Sequence, residues 1–321
     1  MKRMSKLLIL ILVLAVLYGG FRVLESSVFY RRLGNTTIVP TKTITREDDD
    51  YFPRQDITVI LIMGIDQMGP VQDSGDSHNA GEADMVALVI LDQADETYSI
   101  LTLNRDMMLE MPVIEAGGRQ TGSIYGQLAR SHTYGSGLED SAENTRRAVS
   151  DLLHSITIDH YIALNMDAFG ILHDAVGGVA VTVTEDFSRV DETLTAGEVT
   201  LTKEQALAFV RTRQNADNQL RTSRTQRHQE YLLGLMDALG EKRSQSDTFA
   251  AELYEQMSDY MVTDCSVNVV SGLLQRCGGY ELKQIIAIEG EERQNGETWE
   301  FYANAEKLDA LTLELFYAPK N

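Results

Sequence analysis

The clearest pattern in the chain is a pair of apolar runs on either side of a short polar segment. Met85 to Leu91 is apolar at every position, which is typical of a strand buried on both faces. The polar segment Asp92 to Thr97 favours a turn, and Tyr98 to Leu103 is rich in residues that suit a second strand. The pattern therefore predicts an antiparallel hairpin that brings Asp84, at its entry, close to Arg105, at its exit.

A carboxylate and a guanidinium brought together in this way have two interpretations. One is a phosphate or metal site, and the other is a structural ion pair between Asp84 and Arg105. A further buried strand, Ile57 to Met63, is predicted ahead of the hairpin and is followed by Asp66. If this strand is the antiparallel neighbour of the hairpin, Asp66 and Asp84 reach the same sheet edge, where two carboxylates with phosphate oxygens and water suit Mg²⁺. The alternative is that both are solvated loop acids.

The rest of the pattern alternates helices and strands, which predicts an α/β fold with a mixed sheet. Thr202 and Gln205 have the spacing of a capping box, and Gly177-Gly178 is a signal for the end of a helix. Met111 to Ser123 is expected to be irregular. Expected helices are 141–154, 167–176, 202–210, 224–238, 248–261, 266–275 and 306–316, and further strands are 161–164, 179–184, 284–288 and 299–302.

The N-terminal residues have the composition of a membrane anchor. An uncharged, mostly aliphatic run, Leu7 to Phe21, lies between Lys6 and Arg22, which can reach the two membrane interfaces. No clean cleavage site follows, so an uncleaved transmembrane helix is preferred over a signal peptide. The positive residues ahead of it keep the N-terminus in the cytoplasm and export the rest of the chain. The expected divisions are an anchor (1–22), a linker (23–55), a main domain (56–240) and an extension packed on it (241–321).

Net charge and cysteine content narrow the function. The formal charge of −20 and the pI of about 4.6 disfavour binding to nucleic acids, whose backbones an acidic surface repels. The two cysteines, Cys265 and Cys277, either form one disulfide or remain free, and sequence does not decide between these. This pair alone has too few ligands for zinc.

Basic side chains are concentrated in one segment of this acidic chain. The segment after Arg211 holds five arginines within RTRQNADNQLRTSRTQRHQ, among them Arg213, Arg224 and Arg227. Clustered arginines favour an anion, since the guanidinium fork binds phosphate; the alternative is salt bridges on a helix surface. With Arg105, Asp66 and Asp84, they predict a pyrophosphate site that holds one Mg²⁺. Neither a Walker loop nor a GxSxG elbow occurs in the sequence.

The order of the motifs resembles that of the LytR–CpsA–Psr family of cell-envelope phosphotransferases. The resemblance implies an α/β/α sandwich around a mixed sheet, with a hydrophobic pocket for a polyprenyl chain and an N-terminal transmembrane helix. The segments that carry it are VILIMGID (59–66), ADMVALVILD (83–92), LTLNRDMM (101–108), SHTYGSG (131–137), DHYIALNMDAF (159–169), AVGGVAVTV (175–183), LTKEQALAFVRTR (201–213) and SRTQRHQEYL (223–232).

The resemblance also implies roles for individual residues. Asp66 and Asp84 fall on the Mg²⁺-associated carboxylates, and Arg105 falls on the arginine of an R-D motif that Asp106 supports. The positions implied to contact the pyrophosphate are Arg105, Arg211, Arg213, Arg224, Arg227, His228 and Gln229.

Three features depart from the family pattern. Glu82 stands where many members have an arginine, which removes one contact to the pyrophosphate. His228 takes the first glutamine position of an Arg-Gln-Gln run. The loop from Gln67 to Gly81 does not match the common short form.

Three functions follow as hypotheses. The first is transfer of a glycopolymer, such as wall teichoic acid or capsule, from undecaprenyl pyrophosphate to peptidoglycan outside a Gram-positive type membrane, with Asp84 or Asp106 as the base. The second is a polyprenyl-phosphate-binding scaffold that has lost turnover. The third is membrane-bound transcriptional attenuation, against which the expected export and the acidic charge both argue.

Overall fold

The computed structural model describes residues 43–46, 49–115, 119–184, 187, 191–211, 218–246, 248–265, 269, 273, 276–277 and 279–319. These residues divide into two compact units. The sheet unit consists of the described parts of Phe21–Met166, Asp259–Cys265 and Leu282–Asn321. The helix unit consists of the described parts of Asp167–Ser258 and Ser266–Glu281. The boundaries differ from the expected division at 240, because the last part of the chain contributes to both units.

Seven strands come first among the described elements, and helices and strands are interspersed after them. The strands are β1 (Ile44–Arg46), β2 (Asp49–Pro53), β3 (Ile57–Ile65), β4 (Ala83–Asp92), β5 (Thr97–Leu103), β6 (Met108–Glu115), β7 (Arg119–Gln127), β8 (His160–Asn165), β9 (Val179–Val183), β10 (Gly197–Leu201), β11 (Met261–Thr263), β12 (Glu281–Ala287), β13 (Gly290–Asn295), β14 (Thr298–Ala303) and β15 (Tyr317–Pro319). The α-helices are α1 (Glu139–Leu152), α2 (Met166–Val176), α3 (Lys203–Arg211), α4 (Asn218–Gln245), α5 (Phe249–Met257) and α6 (Ala305–Phe316). Two 3₁₀ helices cover Leu128–Thr133 and Ser258–Tyr260.

A mixed sheet in the order β11-β8-β3-β4-β5-β12 organises the sheet unit. β4 pairs antiparallel with both β3 and β5, whereas β3 pairs parallel with β8. The predicted hairpin and its antiparallel neighbour are therefore confirmed. Both faces of β4 are buried, since Leu88 is 0% exposed and Val89, which points to the opposite face, is 1% exposed. This explains why the apolar run has no polar alternation.

The helix unit confirms two signals read from the sequence. The N–H of Thr202 donates to Gln205 Oε1 at 3.0 Å and the N–H of Gln205 donates to Thr202 Oγ1 at 3.3 Å, so the capping box forms at the start of α3. α2 ends at Gly177 and Gly178, whose φ angles of 80° and 105° favour glycine. At Gly234 the α4 helix approaches β9 closely, because a Cβ there would lie 2.1 Å from the carbonyl oxygen of Ala180.

Two expectations are wrong in the sheet unit. Met111 to Ser123 is not irregular, because β6 and β7 pair antiparallel along most of it. Pro112, Gly122 and a register shift between Val113 and Ile114 interrupt the alternation that would have indicated strands. The end of the expected linker is also folded: β1 and β2 pair with each other, and β2 pairs with β15.

The expected anchor and most of the expected linker lie outside the described residues. Within the part of the chain that the structure describes, no helix combines the length and apolar character needed to cross a bilayer. The expected helix 266–275 lies almost entirely outside that part. Cys265 and Cys277 are both buried free thiols, so the structure has no disulfide between them.

Candidate functional site

A cluster of charged side chains surrounds Arg105 at the edge of the sheet. The predicted meeting of the hairpin ends is confirmed, since Arg105 Nη1 donates to Asp84 Oδ1. Arg105 Nη2 also donates to Glu82 Oε2 at 2.6 Å, and Arg105 Nε lies 3.6 Å from Asp106 Oδ1. The Arg105 side chain is only 15% exposed, so solvent screens these pairs less than it would screen surface pairs. We call these four residues, together with Asp66 at the adjoining end of β3, the Arg105 cluster.

Asp66 joins this cluster through the backbone. The N–H groups of Asp66 and Asp84 both donate to the carbonyl oxygen of Glu82, at 2.9 and 3.1 Å. The pairing of β3 with β4 shifts register between Gly64 and Ile65, which aligns the end of β3 with the start of β4. The prediction that Asp66 and Asp84 reach one sheet edge is therefore confirmed.

The charge of the cluster bears on the expected Mg²⁺. Four carboxylates (Asp66, Glu82, Asp84 and Asp106) and one guanidinium give a formal charge of −4 + 1 = −3. Such a site repels a pyrophosphate unless a cation neutralises it. The oxygens of Asp66 and Asp84 are hard ligands of the type that Mg²⁺ prefers. The types of ligand atom therefore suit the ion, and its binding stays a prediction.

A buried histidine holds the segment that carries Glu82. His132 Nδ1 lies 3.0 Å from the carbonyl oxygen of Gly81, and the residue is 1% exposed. Burial lowers the pKa of His132 to about 4, so the ring is neutral at pH 7 and donates through Nδ1–H. Asn79 Nδ2 donates to the carbonyl oxygens of His132 and Gly135 and to Ser141 Oγ. The loop from Gln67 to Gly81 is thus tied to the SHTYGSG segment, whose positioning role the sequence did not indicate.

Asp106 is held more firmly than Asp84. Its side chain is 8% exposed, against 19% for Asp84. Gln127 Nε2 donates to Asp106 Oδ1 at 3.1 Å and to the carbonyl oxygen of Trp299 at 2.7 Å. The N–H of Asp106 donates to Asn104 Oδ1 at 2.9 Å. These bonds favour Asp106 as a residue that positions Arg105.

In the helix unit, two of the predicted phosphate-binding residues contact the end of α3. Arg227 Nε donates to the carbonyl oxygen of Phe209 at 2.8 Å, and His228 Nε2 lies 2.8 Å from the carbonyl oxygen of Val210. Arg227 is 5% exposed, with its guanidinium 5.5 Å from the centre of the Phe187 ring. A cation at a helix C-terminus is favourable, because the last carbonyls are unsatisfied. Both residues therefore stabilise the turn that ends at Arg211.

The other predicted phosphate contacts are described only in part. Arg213 and the side chains of Arg211 and Arg224 lie outside the described parts of the chain. Gln229 is half-buried on α4. The assignment of these residues to a pyrophosphate stays a prediction.

We expect Glu82→Gln to tighten binding of Mg²⁺-pyrophosphate by up to about fivefold. Glu82 competes with phosphate oxygens for Arg105, but its side chain is 40% exposed, so the pair contributes about 0.2–1 kcal/mol. Calorimetric titration with inorganic pyrophosphate measures the effect. The matched control is Glu289→Gln, which removes a carboxylate that pairs with Lys307 elsewhere in the sheet unit. Equal or weaker binding by Glu82→Gln would show that Glu82 does not compete for Arg105.

We expect His228→Ala to lower the free energy of unfolding by about 1 kcal/mol, because the Val210 carbonyl loses its partner. His228→Gln keeps a donor in reach of that carbonyl and should recover most of the loss. Denaturant unfolding monitored by circular dichroism measures both variants. If the glutamine variant is as unstable as the alanine variant, the contact with Val210 is not what stabilises the turn.

The chain is similar to known proteins of one family. A model of the LytR_cpsA_psr family matches residues 29–316. The chain is 23% identical over 318 residues to polyisoprenyl-teichoic acid–peptidoglycan teichoic acid transferase TagU of Oceanobacillus iheyensis, which covers 96% of this chain and 91% of that protein. It is also 25% identical over 274 residues to TagT of Bacillus subtilis, a transferase with the same descriptive name. That match covers 83% of this chain and 78% of that protein. The crystal structure of B. subtilis TagV has a similar fold, with a TM-score of 0.60 and 25% identity over 82% of this chain and 96% of that chain.

Proposed function

We propose a function from the premise that this chain belongs to the LytR_cpsA_psr family. The function is transfer of a glycopolymer from a polyprenyl pyrophosphate carrier to peptidoglycan. The observation that carries the proposal is the position of Arg105 among carboxylates at the sheet edge. Its two terminal guanidinium nitrogens contact Glu82 and Asp84. Relatives named as teichoic acid transferases support the same class of reaction.

The proposed reaction replaces a phosphoanhydride bond by a phosphate ester bond. A peptidoglycan hydroxyl attacks the phosphorus that carries the glycopolymer. A new P–O bond forms, the bond between the two phosphates breaks, and polyprenyl phosphate leaves with the electron pair. Arg105 stabilises the charge that develops on the leaving phosphate, as oriented donors do in a site of low solvent access.

The proton of the attacking hydroxyl needs an acceptor in the Arg105 cluster. Asp84 suits this role better than Asp106, because it is more exposed and Gln127 does not contact it. Asp106 instead orients Arg105. Mg²⁺ bound at Asp66 and Asp84 would add further positive charge for the phosphates.

The finer parts of the proposal concern place and carrier. The run from Leu7 to Phe21 anchors the chain in the cytoplasmic membrane with the two units outside. The carrier is undecaprenyl pyrophosphate, whose chain occupies a hydrophobic pocket within an α/β/α sandwich. The family resemblance supports both statements.

A second candidate is a scaffold that binds the carrier without turnover. The ion pair between Glu82 and Arg105 favours the scaffold, because the Glu82 carboxylate occupies a guanidinium nitrogen that would otherwise donate to a phosphate. Transcriptional attenuation remains disfavoured by the charge of −20.

Deletion of the gene tests the proposal in cells. The expected result is release of one wall glycan into the medium, and the identity of that glycan names the polymer. Complementation with wild-type protein should stop the release, whereas Arg105→Ala at equal abundance should not. Full complementation by Arg105→Ala would favour the scaffold.

A further inference from the structure

A second group of polar side chains lies in the sheet unit at the other end of β8, away from the residues used above. It contains His160, Asp264 and Cys265, whose ligand atoms all lie within 4.8 Å of one another. His160 is the first residue of β8, and the other two follow β11 directly.

The strand register explains why the residues that follow β11 lie near the start of β8. β11 pairs antiparallel with β8, and Thr263 stands opposite Ile162. Each step forward along β11 corresponds to one step back along β8, so two further positions bring Cys265 opposite His160. Asp264 lies between Thr263 and Cys265 in the chain, and its carboxylate accepts from the N–H of Tyr161, the residue after His160. Sequence alone could not show this, because the residues are about a hundred positions apart in the chain.

One buried nitrogen of the group has no hydrogen-bond partner among the described residues. His160 Nδ1 is buried, and among the described residues nothing hydrogen-bonds to it. It lies 3.6 Å from Asp264 Oδ1, which is longer than a hydrogen bond. The Cys265 thiol is buried, and the residue is 1% exposed. A buried nitrogen without a partner is unfavourable, and a cation between these groups would satisfy it.

The neighbours of Asp264 hold it in place. The N–H of Tyr161 donates to Oδ1 at 2.8 Å, and Arg146 Nη1 donates to Oδ2 at 3.5 Å. Arg146 also pairs with Glu143, so its charge is shared between two carboxylates. Carboxylates that bind metals are commonly hydrogen-bonded in this way by outer groups.

We propose that His160, Asp264 and Cys265 bind one thiophilic divalent cation of the zinc type, which links β11 to β8. One imidazole nitrogen, one thiolate and one carboxylate form a ligand set that Zn²⁺ uses, with water completing a tetrahedron. Ligand atoms around a tetrahedral Zn²⁺ lie roughly 3.5 Å apart, so small side-chain rotations close the site. Burial and the charge of Asp264 raise the pKa of the Cys265 thiol to about 12. A thiol binds such a cation as the thiolate, so binding releases the thiol proton to solvent.

Cobalt is the probe that tests the site, because a thiolate bound to Co²⁺ gives a charge-transfer absorption band. The full chain in detergent is reduced, freed of metal with a chelator and titrated with Co²⁺. We expect one equivalent to bind, with the thiolate band and the intense visible bands of a tetrahedral complex. Zn²⁺ should displace the cobalt and raise the melting temperature.

Matched variants identify the ligands. Cys265→Ser should lose the thiolate band, whereas Cys277→Ser, which changes the other buried thiol, should keep it. His160→Asn should weaken binding at least tenfold, whereas His154→Asn, at a partly exposed His–Asp pair, should not. The proposal is overturned if the wild-type protein binds no cobalt or shows no thiolate band. It is also overturned if the band persists in Cys265→Ser or disappears in Cys277→Ser. The wild-type spectrum decides even where a variant does not fold.

Discussion

Arg105→Ala is expected to lower the rate of glycopolymer transfer by about 10²–10³-fold, the usual cost of losing one oriented donor to a developing negative charge. Arg105 is the one cation of its cluster, and it supplies both fork nitrogens at the sheet edge. Its removal also leaves Glu82, Asp84 and Asp106 without their shared partner, which adds repulsion against a phosphate. Transfer by purified protein, measured as labelled glycan attached to peptidoglycan, gives the effect.

Two variants separate chemistry from folding. Arg54→Ala is the matched control, because Arg54 pairs with Asp56 and with Asp92 at the opposite end of β4. It should transfer at nearly the wild-type rate per folded molecule. Arg105→Lys keeps the charge but loses the fork, so its rate should fall between those of wild type and Arg105→Ala. If Arg105→Ala and Arg54→Ala transfer equally well, Arg105 has no part in the reaction.

Removal of divalent cations is expected to lower transfer by about 100-fold or more, since a catalytic metal supplies several kcal/mol of charge stabilisation. The Arg105 cluster has a formal charge of −3, so without a cation it opposes pyrophosphate binding. Asp66→Asn should raise the Mg²⁺ concentration needed for the half-maximal rate by at least roughly tenfold. Loss of a residue that only supports a metal ligand already weakens metal binding by about this factor. A titration of rate against Mg²⁺ measures this shift.

The control for the cation prediction lies on the same hairpin. Asp95→Asn makes the same charge change in the β4–β5 turn, where Asp95 pairs with Lys283. It should leave the Mg²⁺ titration unchanged. Asp84→Asn should shift the titration as well, but it also breaks the pair with Arg105, so Asp66→Asn is the cleaner variant. A rate that does not respond to chelation, or an equal shift in Asp95→Asn, would show that no cation acts at Asp66 in the reaction.

The sequence predicted the central hairpin because its signals were local and mutually consistent. An unbroken apolar run, a polar turn and a second strand determine which residues stand at the entry and the exit. The contact between Arg105 and Asp84 then follows from antiparallel geometry. The capping box at Thr202 and the glycine stop after α2 were likewise local signals with a physical cause.

Other features depended on contacts between distant parts of the chain. β13 is polar on both faces, so alternation could not reveal it. β2 pairs not only with its neighbour β1 but also with β15, at the far end of the described chain. The positioning roles of His132, Arg227 and Gln127 also depend on tertiary packing, since each donates to a backbone carbonyl of another element.

The contact between Glu82 and Arg105 gives Glu82 a second effect on phosphate binding. The sequence indicated only that one phosphate contact is lost, because Glu82 stands where many family members have an arginine. In the structure its carboxylate bonds to Arg105, so it also occupies a donor that a phosphate requires. The net effect is a cluster more acidic than the family pattern implies, which strengthens the expected dependence on Mg²⁺.

Reconstituted transfer tests the central claim most directly. The full chain in detergent is combined with Mg²⁺, peptidoglycan and a polyprenyl-pyrophosphoryl glycan labelled in both the lipid and the glycan. We expect glycan to become attached to peptidoglycan and an equal amount of polyprenyl monophosphate to be released, with both products nearly absent in Arg105→Ala. Tight binding of the donor by the wild-type protein, without attached glycan or released monophosphate, would contradict the account and leave a carrier-binding scaffold.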